Sequence, residues 1–350
     1  MPFLDSLVAQ STVIEHAIAT GRTSVGGATS IFCGFPAFEP FYFMLSPFNK
    51  NRLDSPARLL ANEGWSTAFY YGCKKGSFNI DQTAFAAGHN RVVDRQTYNN
   101  DDDYDGAWGI YDVPMAKYTI NDISTLAEPF FATWFTISAH GPFNLPKDYD
   151  TSRFKHPEAS PERGLEYTDI ALRTFFAMAT KTSWYENTTF IITGDHGNRD
   201  FKGTIYDGEY IRNHVPFIIF TPDGSMPAQR IDDRVIGQYD IPATILALAG
   251  YDKPFVSIGQ DALSAEYNGY GIFRTDGNRY GVVGTKYTIY TSPDIKTVEE
   301  VYNTASNPIL ENPLTDYDSL IVEDMLRFTQ AFMQDYTSRL TYDHLSIENE

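Results

Sequence analysis

Positive charge is what this sequence is short of. Lys and Arg number 27 against 45 Asp and Glu, a formal net charge of −18 with an isoelectric point near 4.7. No run of basic residues exceeds the pair Lys74-Lys75. A protein that binds nucleic acid by neutralising phosphates needs a basic face, so nucleic acid is excluded as a partner. Cysteine is equally scarce: Cys33 and Cys73 are too few for a disulfide framework, match no zinc spacing and are assigned no role. No stretch of about 18 apolar residues occurs, so nothing here spans a bilayer as a helix. The amino terminus lacks the basic-then-apolar layout of a secretory signal. Internal repeats are absent, and the nearest thing to a biased segment, Asn99 to Asp103, reads as a solvated acidic loop.

What is present is a globular composition, 42% hydrophobic and 21% charged over 350 residues. A chain of that length buries roughly three quarters of its unfolded surface without metal or disulfide support. Apolar, β-branched and aromatic runs at Ser66 to Tyr71, Phe130 to Ile137, Thr188 to Thr193 and Val215 to Thr221 read as strands. Helical spacing falls near Pro56 to Glu63, Pro114 to Leu126, Glu166 to Thr182 and Ile241 to Ala249. This alternation predicts an α/β fold, a mostly parallel central sheet with helices on both faces, over residues 1–265. Beyond it, over 266–350, short Tyr- and Gly-rich segments at Gly271 to Arg274, Arg279 to Val283 and Tyr287 to Tyr290, with a turn at Asp276-Gly277-Asn278, predict a small antiparallel meander. A helix over Leu320 to Leu340 should pack on it. The opening Pro2 to Val8 reads as an amphipathic helix, with Phe3, Leu4, Leu7 and Val8 on one side. So abrupt a start suggests that further sequence precedes it.

Four segments can carry chemistry. Phe190 to Asn198 is an apolar strand ending in Gly-Asp195-His196-Gly, which puts a carboxylate and an imidazole at the carboxyl edge of the sheet. Such a pair is half of a divalent-metal site, or equally an Asp capping a loop beside a satisfied His. Gly21-Arg22-Thr23-Ser24 sets two hydroxyls where a helix begins, suited either to attack on a phosphoryl or sulfuryl group or simply to capping. Phe130 to Phe143 is a strand emptying into a loop with His140, which could meet an anion or move a proton. Asn213-His214-Val215-Pro216 places an imidazole just before a strand, a weaker candidate.

Taken together these segments resemble the alkaline phosphatase superfamily, and more narrowly the lipoteichoic acid synthase-like phosphoglycerol transferases grouped with sulfatases. The resemblance runs from Pro2 to about Leu263. It is carried by Pro2 to Leu7, Gly-Arg-Thr-Ser at 21 to 24, Gly-Trp-Ser-Thr-Ala-Phe-Tyr-Tyr-Gly at 64 to 72, Trp-Gly-Ile-Tyr-Asp at 108 to 112 and Thr-Ile-Ser-Ala-His-Gly-Pro-Phe at 136 to 143. Trp-Tyr-Glu-Asn-Thr at 184 to 188, Gly-Asp-His-Gly at 194 to 197 and Tyr-Asp-Ile-Pro-Ala-Thr-Ile-Leu at 239 to 246 complete it.

The resemblance implies a catalytic Thr23 on a divalent cation, usually manganese, with Asp195 and His196 as further ligands. It implies headgroup binding by His140, to which His214 and Asn79 are joined as substrate-binding candidates. The implied reaction moves a phosphoglycerol or related headgroup from a membrane lipid to a lipid or glycan acceptor through a phospho-threonine. The implied setting is the outer face of the cell membrane, periplasmic or extracellular, with a membrane tether in the full-length protein.

Three departures qualify it. The family's first strand, which ends in a metal-binding Glu, has no counterpart, so the sheet is expected to lack a central strand. Where the lipoteichoic acid synthases carry Phe-Trp-Asn-Arg, this chain has Ser77-Phe78-Asn79-Ile80, without the Arg. The formylglycine motif of true sulfatases is absent. A hydrolytic sulfatase or phosphodiesterase, and an inactive domain that binds a headgroup or partner, stand as the alternatives.

Overall fold

The computed structural model describes residues 1–38, 42–197, 208–275, 277–305 and 310–349. Asn198 and Asp276, which belong to two of the segments above, lie outside them. Packing divides the chain into two compact units, one of Met1–Thr12, Leu59–Phe190 and Ile219–Gln229, the other of Val13–Arg58, Ile191–Ile218 and Arg230–Glu350.

In the first unit, β2 (Ser66–Tyr71) lies between β3 (Arg91–Val93) and β4 (Phe130–Phe135), parallel to both. Five of the six β2 residues are buried, which is why its sequence is an unbroken run of small, β-branched and aromatic side chains. Ala68, Tyr70 and Val93 form a core with Met115 and Ile120 of the helix Asp112–Ile123. The helix Pro161–Ala179 opens on a Ser160 side chain that accepts the Arg163 N–H, with Pro at its first position. The expected amino-terminal helix forms over Pro2–Val8, and the Asp169 carboxylate accepts the N–H groups of Phe3 and Leu4 at 3.0 and 2.9 Å. Strand β4 pairs only with β2 among the described strands, and all six of its residues are half-buried.

The second unit holds most of a four-stranded sheet in the order β5-β6-β1-β7, from β5 (Phe190–Thr193), β6 (His214–Phe220), β1 (Thr12–Ile18) and β7 (Gln229–Gly237). The Ala19 N–H donates to the Asn213 carbonyl at 2.6 Å, so the end of β1 meets the start of β6 and those strands run oppositely. A Cβ placed on Gly194, just past β5, would meet Val215 near the start of β6, so β5 also opposes β6. Gly271 lies against both Ile18 and Val235, which brings the ends of β1 and β7 together. Strand β6 is therefore the exception in a mostly parallel arrangement, and the ends of β1, β5 and β7 share one edge with the start of β6. Strands β1 and β7 are additions to the sequence reading.

The carboxyl-terminal meander has four strands, β8 (Gly271–Arg274), β9 (Tyr280–Val283), β10 (Tyr287–Thr291) and β11 (Val298–Asn303), joined antiparallel in chain order. The fourth, β11, was not foreseen. The helix Ser319–Tyr342 packs Val322, Met325 and Phe332 with Ile272, Val282 and Ile289 of the meander. Asp240, fully enclosed after β7, ties this region together: its carboxylate accepts the N–H groups of Gly237 and Gln260 at 2.8 Å each and the Tyr267 hydroxyl at 2.9 Å.

Burial pushes the Asp240 carboxyl up to about 7, partly opposed by those three donors. Its folded-state pKa thus stands above the ordinary 3.8. The folded chain keeps a proton that the unfolded chain has lost, and this group's contribution to stability falls as pH rises from about 4 to about 7. The stability gap between wild type and Asp240→Asn, read from urea midpoints, should narrow across that window. A gap independent of pH would show that the carboxyl titrates in its ordinary range.

Candidate active site

The shared sheet edge of the second unit collects the loops that follow β1 and β5. After β1 the chain runs through Thr20 and Gly21 to Thr23, which has extended backbone (φ −141°, ψ 159°) and is the N-cap of the helix Ser24–Cys33. The Thr23 side chain makes no capping hydrogen bond. Its hydroxyl instead donates to the Tyr42 hydroxyl at 3.3 Å. The helix opens with Ser-Val-Gly-Gly because nothing larger fits: a Cβ on Gly27 would lie 1.9 Å from the Asp195 carbonyl oxygen, and one on Gly26 would lie 2.9 Å from Gly21. These glycines let the first turn of the helix, with its unpaired N–H groups, press against the Asp-His loop.

In that loop the His196 N–H donates to Asp195 Oδ1 at 2.9 Å. His196 Nδ1 pairs with the Gly197 carbonyl at 2.8 Å, which fixes Nδ1 as the protonated nitrogen and leaves Nε2 with its lone pair outward. Nε2 stands 3.5 Å from Asp195 Oδ2 and 3.4 Å from Ser24 Oγ. Two ligands each about 2.1 Å from one ion sit roughly 3–3.5 Å apart, so Asp195 and His196 fit a divalent cation of intermediate hardness. Among the described residues no third His, Cys, Asp or Glu joins them. Hydroxyl groups at the helix start are the protein donors left to add. The printed contacts place Ser24, not Thr23, beside His196.

Gln238 is the residue that sequence reasoning missed. It is 1% exposed, in a single 3-10 turn after β7. Its side-chain NH₂ donates to the carbonyls of Gly194 and Asp195 at 2.8 Å each, and its carbonyl accepts the Thr20 N–H at 3.1 Å. One carboxamide thereby joins the hydroxyl-bearing loop to the Asp-His loop. A lone Gln after a strand matches no motif; only its adjacency to the Tyr-Asp-Ile-Pro segment could have drawn attention to it.

His214 is exposed at the start of β6 on this same edge. Its Nε2 bonds the Glu15 carbonyl at 2.5 Å, and its ring stacks on Tyr210 and lies 6.1 Å from His16. The printed contacts of its imidazole are therefore with β1 and the Glu209–Arg212 turn.

His140 and Asn79 belong to the first unit. The loop after β4 is held by Asp112, whose buried carboxylate accepts the N–H groups of Ile137 and Ser138 at 2.8 and 3.0 Å and the Thr168 hydroxyl at 3.2 Å. Burial pushes that carboxyl up to about 6. Beyond it, the exposed His140 bonds the Gly141 carbonyl through Nδ1 and packs on Trp108 at 4.4 Å between ring centroids. Trp108 in turn meets Phe78 at 5.1 Å. Phe78 and Asn79 both have left-handed backbone, with φ of 54° and 57°, an uncommon conformation for either residue and one often stored at binding sites. Cys33 and Cys73 are buried free thiols, each pushed up to about 12 by burial.

Comparison with known proteins agrees with this architecture. The Sulfatase family model matches residues 1–251. Lipoteichoic acid synthase 1 of Bacillus subtilis is 28% identical over 341 residues, covering 89% of this chain and 51% of that protein. Lipoteichoic acid synthase of Staphylococcus aureus is 26% identical over 292 residues, 78% of this chain and 45% of that one. The chain thus spans about half the length of the curated relatives it matches. Among solved structures, a protein in the alkaline phosphatase superfamily from Vibrio parahaemolyticus superposes with a TM-score of 0.81 at 24% identity, over 97% of this chain and 82% of that one. The lipoteichoic acid synthase LtaP from Listeria monocytogenes gives 0.78 at 17% identity, over 97% and 86%.

Replacing Gln238 by Ala strands two carbonyls and one N–H at a buried position, each worth about 1–3 kcal/mol when left unsatisfied. The urea midpoint should fall by the equivalent of at least one such group. Retention of the full midpoint would mean that water replaces the carboxamide without loss.

Proposed function

Because the chain belongs to the Sulfatase family, whose model covers residues 1–251, we propose that it is a phosphoglycerol-type transferase working through a phospho-threonine at Thr23. The observation that carries this reading is the contact of the Ser24–Cys33 helix start with the Asp195–His196 loop at Gly27, which brings a hydroxyl pair, unpaired N–H groups and a cation-binding pair to one place. The Thr23 oxygen attacks phosphorus in line, its proton leaves to solvent or base, and the lipid alcohol departs. A hydroxyl of the acceptor then attacks the phospho-threonine and restores Thr23. The helix N–H groups receive the phosphoryl oxygens throughout.

Asp195 and His196, with the Thr23 hydroxyl, would hold a divalent cation, manganese by family resemblance. When bound, such an ion lowers the pKa of the attacking hydroxyl and offsets phosphoryl charge. On the same resemblance His140, Asn79 and His214 are assigned to the headgroup. The absence of Arg from Ser77 to Ile80 favours a headgroup or acceptor different from that of the lipoteichoic acid synthases. The substrate would be a membrane phospholipid met at the outer face of the cell membrane; among the described residues no helix is long and apolar enough to cross a bilayer. Hydrolysis is the second reading, favoured by the sulfatases among the similar folds.

Thr23→Ala should abolish release of headgroup from phosphatidylglycerol and Ser24→Ala should keep most of it. Because Ser24 is the hydroxyl nearer His196, this pair of variants is decisive, and the opposite pattern would move the nucleophile to Ser24. Product analysis with and without a glycan acceptor separates transfer from hydrolysis.

Manganese should raise the unfolding midpoint of the chain, by the equivalent of about 2.7 kcal/mol at a hundredfold excess over Kd. The shift should vanish in the Asp195→Asn/His196→Gln double variant. No calorimetric binding to the unmodified chain would favour the inactive, headgroup-binding alternative.

A further inference from the structure

Beside the Asp-His loop the second unit has a narrow cleft lined by Arg22, Arg212, Arg274, Glu209, Asn213 and Thr275, with Gly197 at its wall. Three guanidinium groups and one carboxylate, a local excess of two positive charges, gather here on a chain whose net charge is −18. Each arginine is placed by a separate part of the fold. Arg22 immediately precedes Thr23. Arg212 ends the Glu209–Arg212 turn, and its backbone is pressed so closely on Gly197 that a Cβ there would lie 1.9 Å from the Arg212 carbonyl oxygen. Arg274 ends β8, where one guanidinium nitrogen donates to Asn278 Oδ1 at 3.0 Å. Phe273, fully buried, forms the floor.

Like charges brought together from three elements repel unless something negative joins them, and Glu209 supplies one charge against three. Guanidinium groups match tetrahedral oxyanions by paired N–H···O bonds. The interior of the cleft, about 20 Å³, holds no more than a water or two, so an occupant sits at the mouth as a single oxyanion and not as an enclosed ring. We propose that Arg22, Arg212 and Arg274 form a subsite for a phosphate of the substrate other than the one being transferred. This rests on the reading of Thr23 as the attacked-phosphate site, because Arg22 and Gly197 adjoin Thr23 and His196 in sequence. The second phosphate could belong to the donor lipid or to the acceptor.

The test is binding of inorganic phosphate and of glycerol 1-phosphate to the 350-residue chain in excess chelator, followed by calorimetry, so that neither a bound cation nor turnover is involved. Arg212→Gln and Arg274→Gln should each weaken binding about tenfold or more, the loss of one charge-assisted contact. Arg212→Lys should recover part of it, and Thr23→Ala should leave it within about twofold. Circular dichroism checks that each variant folds, and the Lys variant keeps the test valid if a Gln variant does not. Unchanged affinity in Arg212→Gln and Arg274→Gln would overturn the proposal. Displacement of glycerol 1-phosphate by a soluble phosphate-bearing acceptor assigns the subsite to the acceptor, and displacement by phosphatidylglycerol vesicles assigns it to the donor. Displacement by neither would overturn its role in the reaction. Loss of headgroup transfer is read separately on Thr23→Ala, so failure of the transferase reading and failure of the subsite are distinguishable.

Discussion

The side chain of Gln238 has three hydrogen-bonding groups in use and almost no access to water, and it spans two loops that share no other side-chain bridge of this kind among the printed contacts. Both loops begin at strand ends, where the ladder of backbone bonds stops and the chain must find other partners for its polar groups. A carboxamide is suited to this because it offers donors and an acceptor from one rigid plane. Thr20, three residues before Thr23, and Asp195 itself are therefore fixed to the same point. The helix start can then be set against the Asp-His loop to within the space that Gly27 leaves.

Buried carboxylates do comparable work in both units. Asp112 gathers the N–H groups of Ile137 and Ser138 below the His140 loop, and Asp240 gathers those of Gly237 and Gln260 around Gln238. Each is enclosed and held by three donors, and each has its pKa raised by burial in spite of them. The cost of enclosing a carboxyl is met by satisfying backbone groups that would otherwise be orphaned where a strand gives way to a loop. The exposed groups, His140 and the Asp195–His196 pair, are thus carried on backbone that the enclosed acids have made rigid.

Much of the fold was legible because the strands at Ser66, Phe130, Phe190 and His214 are apolar runs, and such runs announce themselves. Strand β1 was not, since Glu15 and His16 interrupt Thr12–Ile18 with polar side chains that are only half-buried. Strand β7 was hidden by Arg230, Asp232, Asp233 and Arg234, with burial beginning only at Val235. The candidate site was legible as motif: hydroxyls at a helix start and an Asp-His pair at a strand end. Its support was not, because Gln238 and the two enclosed aspartates act through tertiary contacts that no local pattern encodes.

Strand β4 has a consequence of a different kind. Its six residues, Phe-Phe-Ala-Thr-Trp-Phe, carry no charge and no proline, and four of them are aromatic. Half-buried and paired on one side only among the described strands, this segment has the composition by which identical strands from separate molecules stack into sheets. The concentration at which this chain stays monomeric is then governed by strand recruitment at β4 and not by the stability of its cores, so a variant that melts at a higher temperature would still precipitate at the same concentration unless a Lys or Pro were placed in that edge.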